Sequence, residues 1–129
     1  MPVTLQWDTP ENAALRLEFQ GQWTWQDVHQ SLLELPHMVK NAAPFTIHVI
    51  VDLRSMENIP LGTFKNLQQI IRNRHQQVGI AVIVGANPFA ISLWNAFVKI
   101  HPVDASQQSV HFVPSLKYAR EFLHSCVSS

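Results

Sequence analysis

A single cysteine, Cys126, stands in 129 residues, so an intramolecular disulfide is excluded and a reducing, cytoplasmic setting is expected. An excess of one charge is missing too. Nine basic side chains balance nine acidic ones, which removes long-range attraction to nucleic acid or anionic lipid and leaves only a local patch as a route to either. No apolar run approaches the roughly 20 residues of a membrane span, and Met1-Pro2-Val3 opens no positively charged leader. No repeat, low-complexity segment or linker divides the chain, so residues 1–129 are read as one soluble domain, long enough to bury a core unaided.

Chemistry-bearing patterns are equally scarce. The seven histidines, His29, His37, His48, His75, His101, His111 and His124, make no His-x-x-x-His or His-x-His metal spacing. His48 and Asp52 share one face of a predicted strand but stand roughly 13 Å apart at the usual rise, too far for a base and its orienter. Ser55 lies in no Gly-x-Ser-x-Gly elbow, and Cys126 has no anchored setting. Gly85-Ala86-Asn87-Pro88 is neither a dinucleotide loop nor a P-loop. The expectation is a protein without catalysis, cofactor or metal.

What is present centres on Phe45 to Gly62. Ile47, Val49 and Val51 alternate with His48, Ile50 and Asp52, and that density of β-branched residues suits a strand covered by helices on both faces. Asp52 is predicted to close the strand, as a solvated carboxylate or as an acceptor for amides of the following loop, which runs from Leu53 to Pro60. Before it, Val3, Leu5 and Trp7, then Leu15, Leu17 and Phe19, alternate with polar residues around the turn Asp8 to Asn12, which predicts an antiparallel pair. Thr24 with Asp27 three residues on reads as a helix N-terminus, and Trp23 with Val28 has the spacing of a hydrophobic staple. Val28, Leu32, Leu35 and Val39 give that helix its stripe, and Pro36 predicts a kink or a break near Glu34.

Further on, Phe64, Leu67, Ile70 and Ile71 mark the apolar face of a second helix, with Arg72, Arg74 and His75 at the negative end of its dipole and Gly79 as its stop. Ile80 to Val84 reads as a second buried strand. Asn87 and Pro88 are a cap and a first helical residue, and Ile91, Trp94, Phe97 and Val98 face the core or a partner, which includes a second copy of the chain. Ser109 to Val113 is a short strand. Pro114 and Ser115 start a last helix with the stripe Leu116, Ala119 and Leu123, and residues 125–129 are expected to fray.

This order predicts an α/β domain with a mostly parallel, mixed sheet of about five strands and four helices. Ligands of such sheets bind outside the carboxyl ends of the strands. The candidate partner or ligand surface there is Trp23, Thr24, Asp52, Arg54, Ser55, Pro60, Gly62, Thr63, Gly85 and Asn87.

The hairpin, Gly21-Gln22-Trp23-Thr24-Trp25, the strand ending Val51-Asp52-Leu53, the loop to Pro60 and Gly62, and Val84 to Phe89 leading to Trp94-Asn95-Ala96-Phe97 together resemble the STAS domain. The likeness is to its SpoIIAA-like branch of small stand-alone bacterial proteins related to anti-sigma factor antagonists. The resemblance implies a non-enzymatic regulatory domain that docks a protein partner near the start of the second helix. In antagonists of the phosphorylated type that helix opens with Asp-Ser-Ser-Gly, and its second serine is the switch. Aligned from Asp52-Leu53, the serine position here is Gly62, so the switch is absent, and Thr63 reads as a helix cap or as a displaced phosphorylation site. The alternative is a small-ligand or lipid-binding module, because STAS domains resemble the CRAL-TRIO lipid carriers in outline and this chain has Phe and Trp enough to line a pocket.

Overall fold

The computed structural model describes residues 2–9, 14–40, 46–73, 78–101 and 110–127. The expected turn at Pro10 to Asn12, Phe45, Arg74 and His75, the strand start at Ser109, the side chain of Cys126 and the terminal pair Ser128 and Ser129 lie outside the described residues. The elements are β1 (Val3–Thr9), β2 (Ala14–Gly21), α1 (Trp25–Leu32), α2 (Leu35–Lys40), β3 (Ile47–Met56), α3 (Thr63–Arg72), β4 (Val78–Val84), α4 (Pro88–Ile100), β5 (Val110–Val113) and α5 (Leu116–Val127). The first predicted helix is broken at Leu33-Glu34 into α1 and α2, with Pro36 in the first turn of α2, where its missing N–H costs no helical bond.

The five strands lie in chain order, β1-β2-β3-β4-β5, with β1 antiparallel to β2 and the rest parallel. Alternation along the strands sorts the side chains between two faces. Leu15, Leu17, Phe19, Ile47 and Val49 turn to one face, where they bury with Val28 of α1 and Leu35 and Val39 of α2. Ala14, Ile50, Val82 and Val84 turn to the other and pack on Ala119 and Leu123 of α5, along the stripe read from the sequence. β3 sits in the middle with both faces covered, as its composition requires.

The helix starts follow local chemistry. Thr24 Oγ1 accepts from the Asp27 amide at 3.2 Å while the Asp27 carboxylate accepts from the Thr24 amide at 2.9 Å, a reciprocal capping box. Trp23 and Val28 bury in one cluster, which is the staple. Asn87 Oδ1 accepts from Ala90 N at 2.8 Å with Pro88 in the first turn, and Ser115 Oγ accepts from Tyr118 N at 3.1 Å.

Several boundaries differ from the sequence reading. β3 does not stop at Asp52: Ser55 and Met56 find ladder partners in Gln20 and Gly21 of β2, so the strand runs four residues further. Gly79 is not a helix stop but lies within β4, where any Cβ would meet Thr46 Cγ2 at 2.6 Å and His48 Nδ1 at 3.0 Å. Thr63 is not the cap of α3. Gly62 holds that place at φ 91°, in the left-handed region open to glycine. α5 carries through residues 125–127, past the expected start of fraying.

Asp8, read as a turn residue, lies within β1, one residue before its end, with its side chain fully covered. It accepts from Arg16 Nη1 at 2.9 Å and from Arg120 Nε and Nη2 at 2.9 and 2.8 Å, tying α5 to the hairpin across 112 residues of sequence. The hydrogen bonds from Arg120, aided by the nearby charges and opposed by burial, hold the Asp8 carboxyl below its usual 3.8. A carboxyl whose pKa is lowered by folding stabilises fully above the unfolded value and loses that contribution as pH falls through the folded one. Denaturant titration of Asp8→Asn is therefore expected to show a shallower loss of stability below about pH 3.8 than the parent chain. Arg120→Ala is expected to cost about 2–3 kcal/mol at neutral pH, less than a fully buried pair because Arg16 remains.

Candidate functional site

On the face opposite α5, β3 and β4 present Val49, Val51, Leu53, Ala81 and Ile83 toward α3 and α4. Those helices answer with Leu67, Ile70 and Ile71, and with Ala90, Leu93 and Trp94. The two sides leave a gap, although Ile70 packs against the buried cluster that includes Val49. They enclose, with Trp25 and Leu32 of α1, a cavity of about 370 Å³, within the range of ~300–1,000 Å³ typical of small-molecule sites.

The contrast between the faces is sharp. Beneath α5, Ile50, Val82 and Val84 are fully excluded from solvent, whereas α3 has no fully buried residue and α4 has only Phe97. An amphipathic helix whose apolar stripe stays half-open lacks the contacts on one side that close packing would supply. The small side chains of Ala81 and Ala90, on facing walls, contribute to the gap.

A polar latch closes one end of the cavity. Trp25 Nε1 donates to the Pro60 carbonyl at 3.2 Å, and the Thr63 hydroxyl donates to the same oxygen at 3.3 Å. His29 Nε2 and Asn66 Oδ1 share a hydrogen bond at 2.7 Å, and Asn66 Nδ2 donates to the Gly62 carbonyl at 2.7 Å. Residues 57–62 are thereby tied to α1. Outside this latch lies a groove bordered by Leu61, Lys65 and Phe89, and it shares Ile59, Thr63 and Leu93 with the cavity wall. These three residues stand between the hollow and the groove.

The ten residues selected from the sequence do not form one surface. Pro60, Gly62 and Thr63 stand at the latch, and Trp23 is a wall of the cavity only 5 % exposed, so it is not a surface residue. Its ring stacks edge-on with Phe19 and Trp25, at centroid distances of 4.7 and 4.9 Å. Thr24 and Asn87 are exposed caps, and Ser55 is an exposed strand residue. Asp52 and Arg54 lie on the α5 face. Asp52 is buried and accepts from the Arg54 amide at 3.1 Å and from Arg54 Nε and Nη2 at 2.9 and 2.8 Å. The hydrogen bonds from Arg54 hold its carboxyl below the usual value against the opposing effect of burial. Gly85, at φ 76°, lies so close to Arg54 that a Cβ would come within 2.6 Å of its Cγ and 3.1 Å of its Cα. Asp52 thus accepts a backbone amide, as one of its two readings had it, but inside the strand and away from the cavity.

The residues that make the hollow, Met56, Ile59, Leu67, Ile70, Ala81 and Leu93, were legible as apolar and alternating but not as a site. The available signal was the facing of Ala81 by an amphipathic helix. Among the described residues no group of three or more His, Cys, Asp or Glu is placed to hold a metal ion, and no helix is long and apolar enough to cross a membrane.

His48 serves the fold. Its Nδ1 accepts from Ile80 N at 3.0 Å, filling an irregular step in the β3–β4 ladder, and burial lowers its pKa from the usual 6.5. The neutral ring is the one that accepts, so its contribution is complete above about pH 6.5 and declines as pH falls toward the folded value. His48→Ala is expected to lose stability at neutral pH and to flatten the decline below about pH 6.5, read by urea titration at several pH values. Ala81→Leu is expected to stabilise the fold by about 1 kcal/mol, since it fills space rather than overpacking a closed core, which would cost ~1–3 kcal/mol. No protein-family model and no curated protein matches this chain.

Proposed function

We propose that the protein is a non-enzymatic binding module that takes one small apolar ligand, such as a single-chain lipid, into the cavity between the sheet and α3/α4. The observation that carries this reading is the uneven cover of the sheet: α5 closes one face fully, while α3 and α4 leave a 370 Å³ apolar hollow on the other. Water gains little in such a space because few polar partners line it, whereas an apolar guest restores the missing dispersion contacts and leaves water.

Of the polar groups on the cavity wall, Trp25 Nε1 and the Thr63 hydroxyl are engaged with the Pro60 carbonyl, whereas the buried Nε1 of Trp23 has no hydrogen-bond partner among the described residues. Away from the cavity, Ser31 Oγ donates to the Val3 carbonyl at 2.9 Å, His48 accepts from Ile80 and Asp52 is paired with Arg54. A mostly apolar wall with this one unpaired N–H suits holding a guest. Thr63 is also a poor phosphorylation switch, being half-buried with its hydroxyl committed to Pro60. A second reading, a STAS-type domain that docks a protein partner at the start of α3, draws on the 97 % exposure of Leu61 there.

Displacement of a fluorescent fatty acid from the purified protein tests the proposal. Saturable binding of one probe per chain is expected, weakened at least about tenfold in Ala81→Leu, because lost volume excludes the guest while the fold is retained. Equal probe binding by Ala81→Leu and the parent, or none by either, would sink it.

A further inference from the structure

The charge of the chain is balanced overall but not along its length. From residue 58 to residue 103 there is no Asp or Glu, while Lys65, Arg72, Arg74 and Lys99 fall in that stretch. The same stretch forms α3 and α4, the layer that roofs the cavity, together with β4 and the latch loop after its exposed Glu57. Its outward side carries Lys65, Arg72 and Lys99, all exposed and paired with no carboxylate among the described residues. Three large apolar side chains share that layer exposed: Leu61 at 97 %, Phe89 at 61 % and Ile100 at 61 %. Leu61, Phe89 and Lys65 border one groove, and Ile59, Thr63 and Leu93 line both that groove and the hollow.

From this coincidence we infer that the α3–α4 layer docks on an anionic lipid bilayer. Leu61 and Phe89 enter the headgroup–acyl boundary and the lysines and arginine face lipid phosphates and carboxylates. Basic residues beside exposed apolar ones are the combination that interfacial binding needs, since neither hydrocarbon insertion nor charge attraction alone holds a small protein at a membrane. The absence of acidic side chains over 46 residues removes the repulsion that anionic lipid would otherwise meet, and it is what selects a bilayer over a partner protein of mixed charge. Delivery of ligand from that bilayer past Ile59 and Leu93 rests on the cavity reading; the docking does not.

The test is flotation of the full chain with vesicles of phosphatidylcholine alone and of phosphatidylcholine mixed with phosphatidylserine. Binding is expected to the mixed vesicles, to fall as salt rises, because exposed charges are screened beyond about 8 Å at physiological ionic strength, and to drop about tenfold or more in Lys65→Glu/Lys99→Glu. Leu61→Asp, at a side chain that touches little, is expected to weaken binding at every salt concentration. Equal flotation with both vesicle types, or undiminished binding by the double charge reversal, would overturn the inference. Fluorescent fatty-acid titration without vesicles separates the two readings. Probe uptake with no preference for anionic vesicles removes the docking and leaves the cavity, while vesicle binding without probe uptake keeps the docking and removes the cavity.

Discussion

β3 has a strand on each side and helices over each face, and the rest of the molecule is arranged around that demand for double cover. A parallel strand with Ile47, Val49 and Ile50 fully or nearly fully buried must be shielded from water on both sides. α5 meets the demand on one face at close range. On the other, α1 and α2 cover the end nearest the hairpin, and α3 and α4 complete the cover with Ile70 packed on the core and a gap beside it.

That asymmetry is sustained by polar contacts at the perimeter. Asp8 between Arg16 and Arg120 clamps the far end of the chain onto the hairpin, so α5 is fixed by an ion pair in addition to its apolar stripe. The latch of Trp25, Thr63, His29 and Asn66 holds the loop before α3 to α1, so the roof of the cavity is tied at its edge as well as through Ile70 of its apolar stripe. A roof held at the edge can span a hollow that packing forces alone would tend to collapse. The lost dispersion contacts are a standing cost, and a bound apolar guest would remove it.

The two faces also divide the charged chemistry. Asp52 and Arg54, which the sequence placed beside the loop to Gly62, belong to the α5 face because two residues along a strand are a full period. The apolar hollow and its basic, acid-free roof are on the other side. The proposed binding of an apolar guest and attraction to an anionic surface thus fall on one side of the molecule, and the buried carboxylates Asp8 and Asp52 with their partly exposed arginines fall on the other.

Much of this was legible in the residues themselves. Period-two alternation in β2 and β3, the Thr24–Asp27 box, the Trp23–Val28 staple, the break before Pro36, the Asn87–Pro88 start and the Leu116–Ala119–Leu123 stripe are all local, and local chemistry decides them whatever the rest of the chain does. The continuation of β3 to Met56, the place of Gly79 in a strand and the pairing of Asp8 with Arg120 depend on neighbours distant in sequence, so no window of residues contains them. The cavity belongs to the same class. Ile71 facing a hollow and Leu123 packed on the sheet occupy equivalent positions in equivalent stripes, each seven residues after the first apolar residue, Phe64 or Leu116. An apolar periodicity fixes the direction in which a helix turns its side chains, but the distance to what it faces is set only when every element is in place.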